Sequence, residues 1–210
     1  QSKGVTMLDK PILLDLYPEE LQAYLKEHGQ PAFRAKQIFG WLHRGVSFCD
    51  MSNLPKALRE TLSEQAYDLP LALHASFPSK KDHTVKFLNA CVDGNLIESV
   101  LMQYHYGYSL CISTQVGCKM GCAFCASTLN GCVRNLSAGE MLGQVLLANR
   151  YLGVSGKVGH IVLMGSGEPL ENYDQVVRFL RLINHPDGLA ISLRAVSLST
   201  CGLAPQIRQL

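Results

Sequence analysis

The run Gly117-Cys118-Lys119-Met120-Gly121-Cys122-Ala123-Phe124-Cys125 sets three thiols in one short loop, spaced C-x3-C-x2-C. Any fold this chain adopts has to present that loop at one place. A 4Fe–4S cube asks for a soft ligand on each iron, so three cysteines leave one iron open to a small molecule. Zinc is the competing reading, but structural zinc takes four protein ligands, usually from paired C-x2-C or Cys/His knuckles. No second pair follows at knuckle spacing, and Cys111 and Cys132 would give irregular spacings. A ferredoxin-like electron carrier would need a fully ligated cluster, which three spaced cysteines do not supply.

The pattern around the loop is α/β. From Tyr108 a strand is expected over 109–113, then the cysteine loop. Ser137-Ala138-Gly139-Glu140 has the S-x-x-E form of a capping box, so a helix should start there and run to about Leu152. A strand over 160–164, a helix over 173–183 and a strand over 194–199 follow. Strands alternating with helices imply parallel pairing with right-handed crossovers. The cysteine loop thus leaves the C-terminal end of the first parallel strand, where α/β folds place their sites. Only three such units fit before Leu210, about the first half of a six-unit partial barrel.

Before Ala75 the periodicity is helical, with Leu21, Tyr24 and Leu25, then Ile38, Phe39, Trp41 and Leu42, at helical spacing. Pro18 suits a helix start, Gly29 a stop, and a third helix is expected over 55–65. After Ser76, two strands should pair around the Asp93-Gly94 turn. The expected organisation is therefore a helical unit over 1–75, a β-hairpin linker over 76–107 and half a barrel over 108–210.

Bulk properties exclude more than they assign. Hydrophobic content of 47% with 17% charged residues describes a core-forming protein. No apolar run approaches the ~20 residues of a membrane helix, and no signal peptide opens the chain. Cysteines grouped around a metal-type motif point to a reducing, cytoplasmic setting. The net charge of +2 gives no general affinity for nucleic acid, so an RNA partner would need a local patch.

Gly165-Ser166-Gly167-Glu168-Pro169 follows the second parallel strand, where glycines let backbone approach a ligand and a carboxylate can accept from an ammonium group. The third strand ends Ser197-Leu198-Ser199-Thr200-Cys201-Gly202, whose hydroxyls can reach the same ligand or simply cap a turn.

Together with the cysteine triplet, the Gly-rich element resembles the signature of the radical S-adenosylmethionine (radical SAM) superfamily. Leu110 to Cys118, Gly131 to Leu136 and Met164 to Leu170 resemble, more narrowly, the RlmN/Cfr family of radical SAM RNA methyltransferases. Phe33-Arg34-Ala35-Lys36-Gln37-Ile38 and Met51-Ser52-Asn53-Leu54-Pro55-Lys56 resemble that family's N-terminal RNA-contacting domain and favour its RlmN branch.

The resemblance implies a radical SAM (β/α)6-type barrel with Cys118, Cys122 and Cys125 on a 4Fe–4S cluster, and Gly167, Glu168 and Ser199 at S-adenosylmethionine. It implies methylation of carbon 2 of an adenosine in 23S rRNA, and of the adenosine beside the tRNA anticodon, through a methyl-cysteine intermediate. Carbon-8 methylation of Cfr type is the alternative, and a non-catalytic RNA-binding remnant is a third reading. Cys111 matches the second catalytic cysteine, which closes a disulfide with the methyl-carrying one to release product. Its competing role is a packed strand cysteine. Glu98 matches a proton acceptor, or it is a salt-bridge residue on an exposed strand face.

The remaining cysteines, Cys49, Cys91, Cys132 and Cys201, have no spacing that demands a role, and Cys132 reads as packing. The implied partners are RNA (23S rRNA and tRNA) and a flavodoxin-type or other low-potential reductant, with neither membrane nor DNA. In the family the methyl-carrying cysteine lies beyond position 210, so the expectation for these residues alone is an inactive fragment.

Overall fold

The structure is a computed structural model that describes residues 9–210; the first eight residues of the expected helical unit lie outside it. Helix α1 (Pro18–Glu27) starts at the proline, with the Glu20 carboxylate accepting the Tyr17 backbone N–H at 2.8 Å, and ends just before Gly29. Helices α2 (Arg34–Leu42) and α3 (Lys56–Gln65) follow. Each buries one stripe: Leu21 and Leu25, then Ala35, Ile38, Phe39 and Leu42, then Leu58 and Leu62.

Four antiparallel strands come next: β1 (Leu71–Pro78), β2 (Val85–Cys91), β3 (Leu96–Tyr104) and β4 (Gly107–Cys111). Sequence patterning missed β1, which begins within the segment expected to be helical. It is an edge strand with only Leu71 buried and a register shift between Leu73 and Ala75, so it carries no alternating apolar signal. The expected hairpin is thus part of a larger sheet.

The cysteine loop is framed by a two-stranded ribbon, β5 (Gln115–Gly117) against β6 (Cys132–Asn135), also unexpected from the sequence. Helix α4 (Ala138–Leu152) carries the expected capping box, with Ser137 Oγ accepting the Glu140 N–H and Glu140 accepting the Ser137 N–H. Then come β7 (Val158–Leu163), α5 (Tyr173–Ile183), β8 (Val196–Leu198) and α6 (Ala204–Gln209). Strands β7 and β8 run parallel to β4, giving one six-stranded sheet in the order β1-β2-β3-β4-β7-β8.

One face of that sheet is covered by helix. Phe87 of β2 meets Tyr151 of α4 edge-on at 5.0 Å, and Leu101, Leu110 and Ile161 on the same face are buried. The buried apolar residues form a single cluster that runs from the helical unit through α4 to α5. Polar contacts fasten the same seam. Arg178 grips the Glu20 carboxylate with two bonds of 2.6 and 2.9 Å and donates to the Asp15 carbonyl at 3.0 Å. Arg150 on α4 donates to the Gly45 carbonyl at 2.9 Å. Among the described residues no helix is long and apolar enough to cross a membrane.

Candidate functional site

Three strand ends converge on one opening. The loop between β5 and β6 brings Cys118, Cys122 and Cys125; the turn after β7 brings Gly165, Gly167 and Glu168; the end of β8 brings Ser199, Thr200 and Cys201. Together they line a cavity of about 270 Å³. The three motifs lie far apart along the chain, and the parallel order β4-β7-β8 is what makes them neighbours.

Local backbone explains how each loop is held. Gly117 sits at φ +75°, and a Cβ there would run into the Gly131 carbonyl across the ribbon. That carbonyl accepts the Cys118 N–H at 3.0 Å, which pins the first cysteine. The Cys125 N–H bonds to the Cys122 carbonyl at 3.1 Å, and Thr128 Oγ1 donates to the Cys125 carbonyl at 3.0 Å. Phe124 projects into solvent, 95% exposed. Lys119 reaches across to Glu171 at 2.6 Å and so ties the cysteine loop to the segment after the Gly-rich turn.

Gly167, at φ +107°, lies so close to Gln115 that any side chain would clash with its Cβ and backbone N. Here Gln115 Oε1 accepts the Glu168 N–H at 2.9 Å while its Nε2 donates to Asn135 at 2.8 Å. Asn172 donates to the carbonyls of Thr114 and Leu136, and Gln144 of α4 exchanges two bonds of 2.9 Å with Ser113. All three amides are buried and bonded, so truncating one would leave buried backbone groups unpaired at a cost of about 1–3 kcal/mol each. Sequence reading passed over them. The one available signal was a lone amide inside an apolar run, as at Gln144 between Met141-Leu142 and Val145-Leu146.

Glu168 is 4% exposed, and its carboxylate accepts from Thr200 Oγ1 at 2.7 Å, Cys201 N at 2.8 Å and Leu170 N at 3.0 Å. Burial alone would raise its pKa, yet these donors outweigh it and hold the carboxyl below its usual range. Three of the roughly four lone-pair directions of a carboxylate are therefore taken. Glu168 mainly bridges the β7 and β8 loops, leaving little of the carboxylate free for an incoming ammonium group.

Cys111 and Glu98 stand apart from that cavity. Cys111 ends β4, paired with Val100 on one side and Val162 on the other, and Glu98 lies two residues before Val100. Register therefore puts both on the sheet face opposite the helices. Burial pushes the Cys111 thiol up, partly countered by the Met164 backbone. Glu98 is half exposed and pairs with Lys86 at 2.7 Å, while its backbone carbonyl accepts from Ser113 Oγ at 2.6 Å.

Among the described residues no three His, Cys, Asp or Glu side chains are drawn together tightly enough for a metal ion. The donor set still fits a 4Fe–4S group. All three loop thiols are free of disulfides and line the same cavity, and a cube spreads its cysteine sulfurs more widely than a single zinc does.

A family model described as "Ribosomal RNA large subunit methyltransferase N-terminal domain" matches residues 12–67. The chain is 50% identical over 204 residues to "Probable dual-specificity RNA methyltransferase RlmN" of Alkaliphilus metalliredigens, covering 97% of this chain and 57% of that protein. It is 51% identical over 201 residues to the protein of the same name from Clostridium perfringens, covering 94% and 57%. A solved radical SAM methyltransferase from Sphaerobacter thermophilus superposes with a TM-score of 0.90 at 39% identity, covering 95% of this chain and 59% of that one. The chain thus spans a little over half the length of the relatives it matches. Sequence and fold agree across nearly all of the present residues, and by family the chain belongs to the RlmN-type radical SAM methyltransferases.

Proposed function

We propose that this chain supplies the cluster half of an RNA methyltransferase that places a methyl group on carbon 2 of an adenosine. The substrates are 23S rRNA and the adenosine beside the tRNA anticodon. The observation that carries this reading is the shared cavity of the cysteine loop, the Gly-rich turn and the end of β8. Cys118, Cys122 and Cys125 would hold a 4Fe–4S cluster. Gly167, Glu168 and Ser199 would bind S-adenosylmethionine beside it, Gly167 offering bare backbone and Glu168 its one remaining lone-pair direction while it keeps the two loops in register. When bound, the pair supplies one-electron cleavage of S-adenosylmethionine, with the electron coming from a flavodoxin-type reductant. Cys111 would resolve the methyl-cysteine intermediate through a disulfide, and Glu98 would accept the proton lost from the adenine ring.

RNA would meet the helical unit, where cations lie over aromatic rings: Arg44 over Trp41 at 4.1 Å and Arg34 over Phe33 at 5.3 Å, with Phe33 63% exposed. The match over 12–67 favours the RlmN branch over carbon-8 chemistry. The setting is the cytoplasm. The complete reaction is proposed for the protein at its relatives' length, and cofactor binding for the residues described here.

The test is methylation of 23S RNA fragments by the protein reconstituted at its relatives' full length, with S-adenosylmethionine and reductant, followed by nucleoside mass spectrometry. 2-Methyladenosine is expected. 8-Methyladenosine would transfer the protein to the Cfr-type alternative. RNA binding with no methyl transfer from a cluster-loaded protein would leave an RNA-binding remnant.

A further inference from the structure

The cavity contains a fourth thiol. Cys201 lines it together with Cys118, Cys122 and Cys125. Its place is fixed by the backbone: the Cys201 N–H donates to Glu168 Oε2 at 2.8 Å, and the preceding Thr200 hydroxyl donates to Oε1 at 2.7 Å. The Gly202 N–H closes on Thr200 Oγ1 at 3.1 Å, completing a tight turn. Glu168 itself is buried, so the anchor is firm.

A 4Fe–4S cube is most stable with a soft ligand on every iron, and the loop triplet provides three. We propose that Cys201 caps the fourth iron while S-adenosylmethionine is absent, and that S-adenosylmethionine binds by displacing it. In the capping step the S–H bond breaks, a sulfur–iron bond replaces iron-bound water, and the proton leaves to the solvent on which Cys201 opens. No electrons change hands, and the step reverses when the amino and carboxylate groups of S-adenosylmethionine arrive. The consequence is a resting cluster that keeps its labile iron and a cofactor that must compete for its place. This rests on the cluster assignment made above.

The test compares the anaerobically reconstituted wild-type protein with Cys201→Ala and Cys201→Ser. The side chain is exposed and the anchoring bond uses backbone, so both variants should fold. Under mild oxidation with a chelator and no S-adenosylmethionine, the variants should lose the fourth iron about tenfold faster, read as growth of the three-iron signal in electron paramagnetic resonance. Added S-adenosylmethionine should abolish the difference, and the variants should bind it more tightly. Equal iron loss in loaded wild type and variants would overturn the role of Cys201 and leave the cluster standing. Failure of every form to take up iron and sulfide would overturn the cluster assignment and this inference with it.

Discussion

The two faces of the central sheet are built to different ends, and β3 displays both. Its Ile97, Ser99 and Leu101 lie buried on the helix-covered face, while Glu98, Val100 and Met102 point to the opposite, more open one. The covered face is a packed core in which the buried Asn89 amide donates to Ser99 Oγ at 3.0 Å. On the open face and at the strand ends lie thiols, a paired carboxylate and glycines that leave room. Alternation along a single strand thus separates what holds the fold from what is available for chemistry. If that division is real, changes on one side should leave the other intact.

The sharpest break would come from the cysteine loop. Replacing Cys118, Cys122 or Cys125 singly by serine should abolish bound iron and sulfide after reconstitution while shifting the unfolding midpoint little. Elemental analysis beside a thermal melt checks both halves of the expectation. A large loss of stability without metal would mean that the loop belongs to the core.

Arg134 crosses between the two worlds. On β6, at the exit of the cysteine loop, it pairs with Asp93 at 2.6 Å and with Glu140 at 2.7 and 2.8 Å, all three largely buried. Arg134→Met should cost about 3–5 kcal/mol by stranding two buried carboxylates. Changing Arg134, Asp93 and Glu140 together to Met, Asn and Gln should recover most of it. Denaturant unfolding measures both, and an unrecovered triple variant would show that the arginine does more than neutralise.

That network also marks the limit of what could be read in the residues. The capping box at Ser137, the 173–183 helix and the cysteine loop were legible because each is a local pattern with a local cause. Arg134, Gln115 and Asn172 were not, since their partners lie as far off as Asp93 and Glu168 and only the assembled sheet brings them near. Strand β1 was lost for the reverse reason: its pairing is real, but exposure erased its pattern. For the site, the motifs and their common ligand were expected from the resemblance, while the bonds that hold the three loops together were not. The fourth thiol at Cys201 became meaningful only when three strand ends were seen to share one cavity.

On the covered side, two groups should make stability depend on pH in opposite senses. Burial, with His185 nearby, pushes the pKa of His43 down to about 4, so it folds neutral. Its contribution is full above its unfolded value of 6.5 and is lost as pH falls toward about 4. Burial raises Asp15 to about 6 against the lowering effect of the Gly139 N–H and Ser137, so its contribution is full below 3.8 and is lost as pH rises through about 6. Each is worth on the order of 3 kcal/mol, and between about pH 4 and 6 they nearly cancel. His43→Leu should therefore make the protein gain stability on acidification, and Asp15→Asn should make it lose stability. Melting curves across that range decide it; unchanged profiles in both variants would place the pH response elsewhere.

The smallest effect is the most discriminating for the open face. Glu98 and Lys86 form a half-exposed pair, which is worth at most about 1 kcal/mol. Glu98→Gln and Lys86→Met should therefore melt almost alike. They should differ in catalysis at the relatives' full length, because a proton acceptor acts through its own carboxylate whether or not a lysine stands beside it. Methyl transfer should fall about a hundredfold in Glu98→Gln and stay near the parent rate in Lys86→Met. If both variants keep the parent rate, Glu98 is a surface ion-pair residue and the chemistry of the open face begins at Cys111.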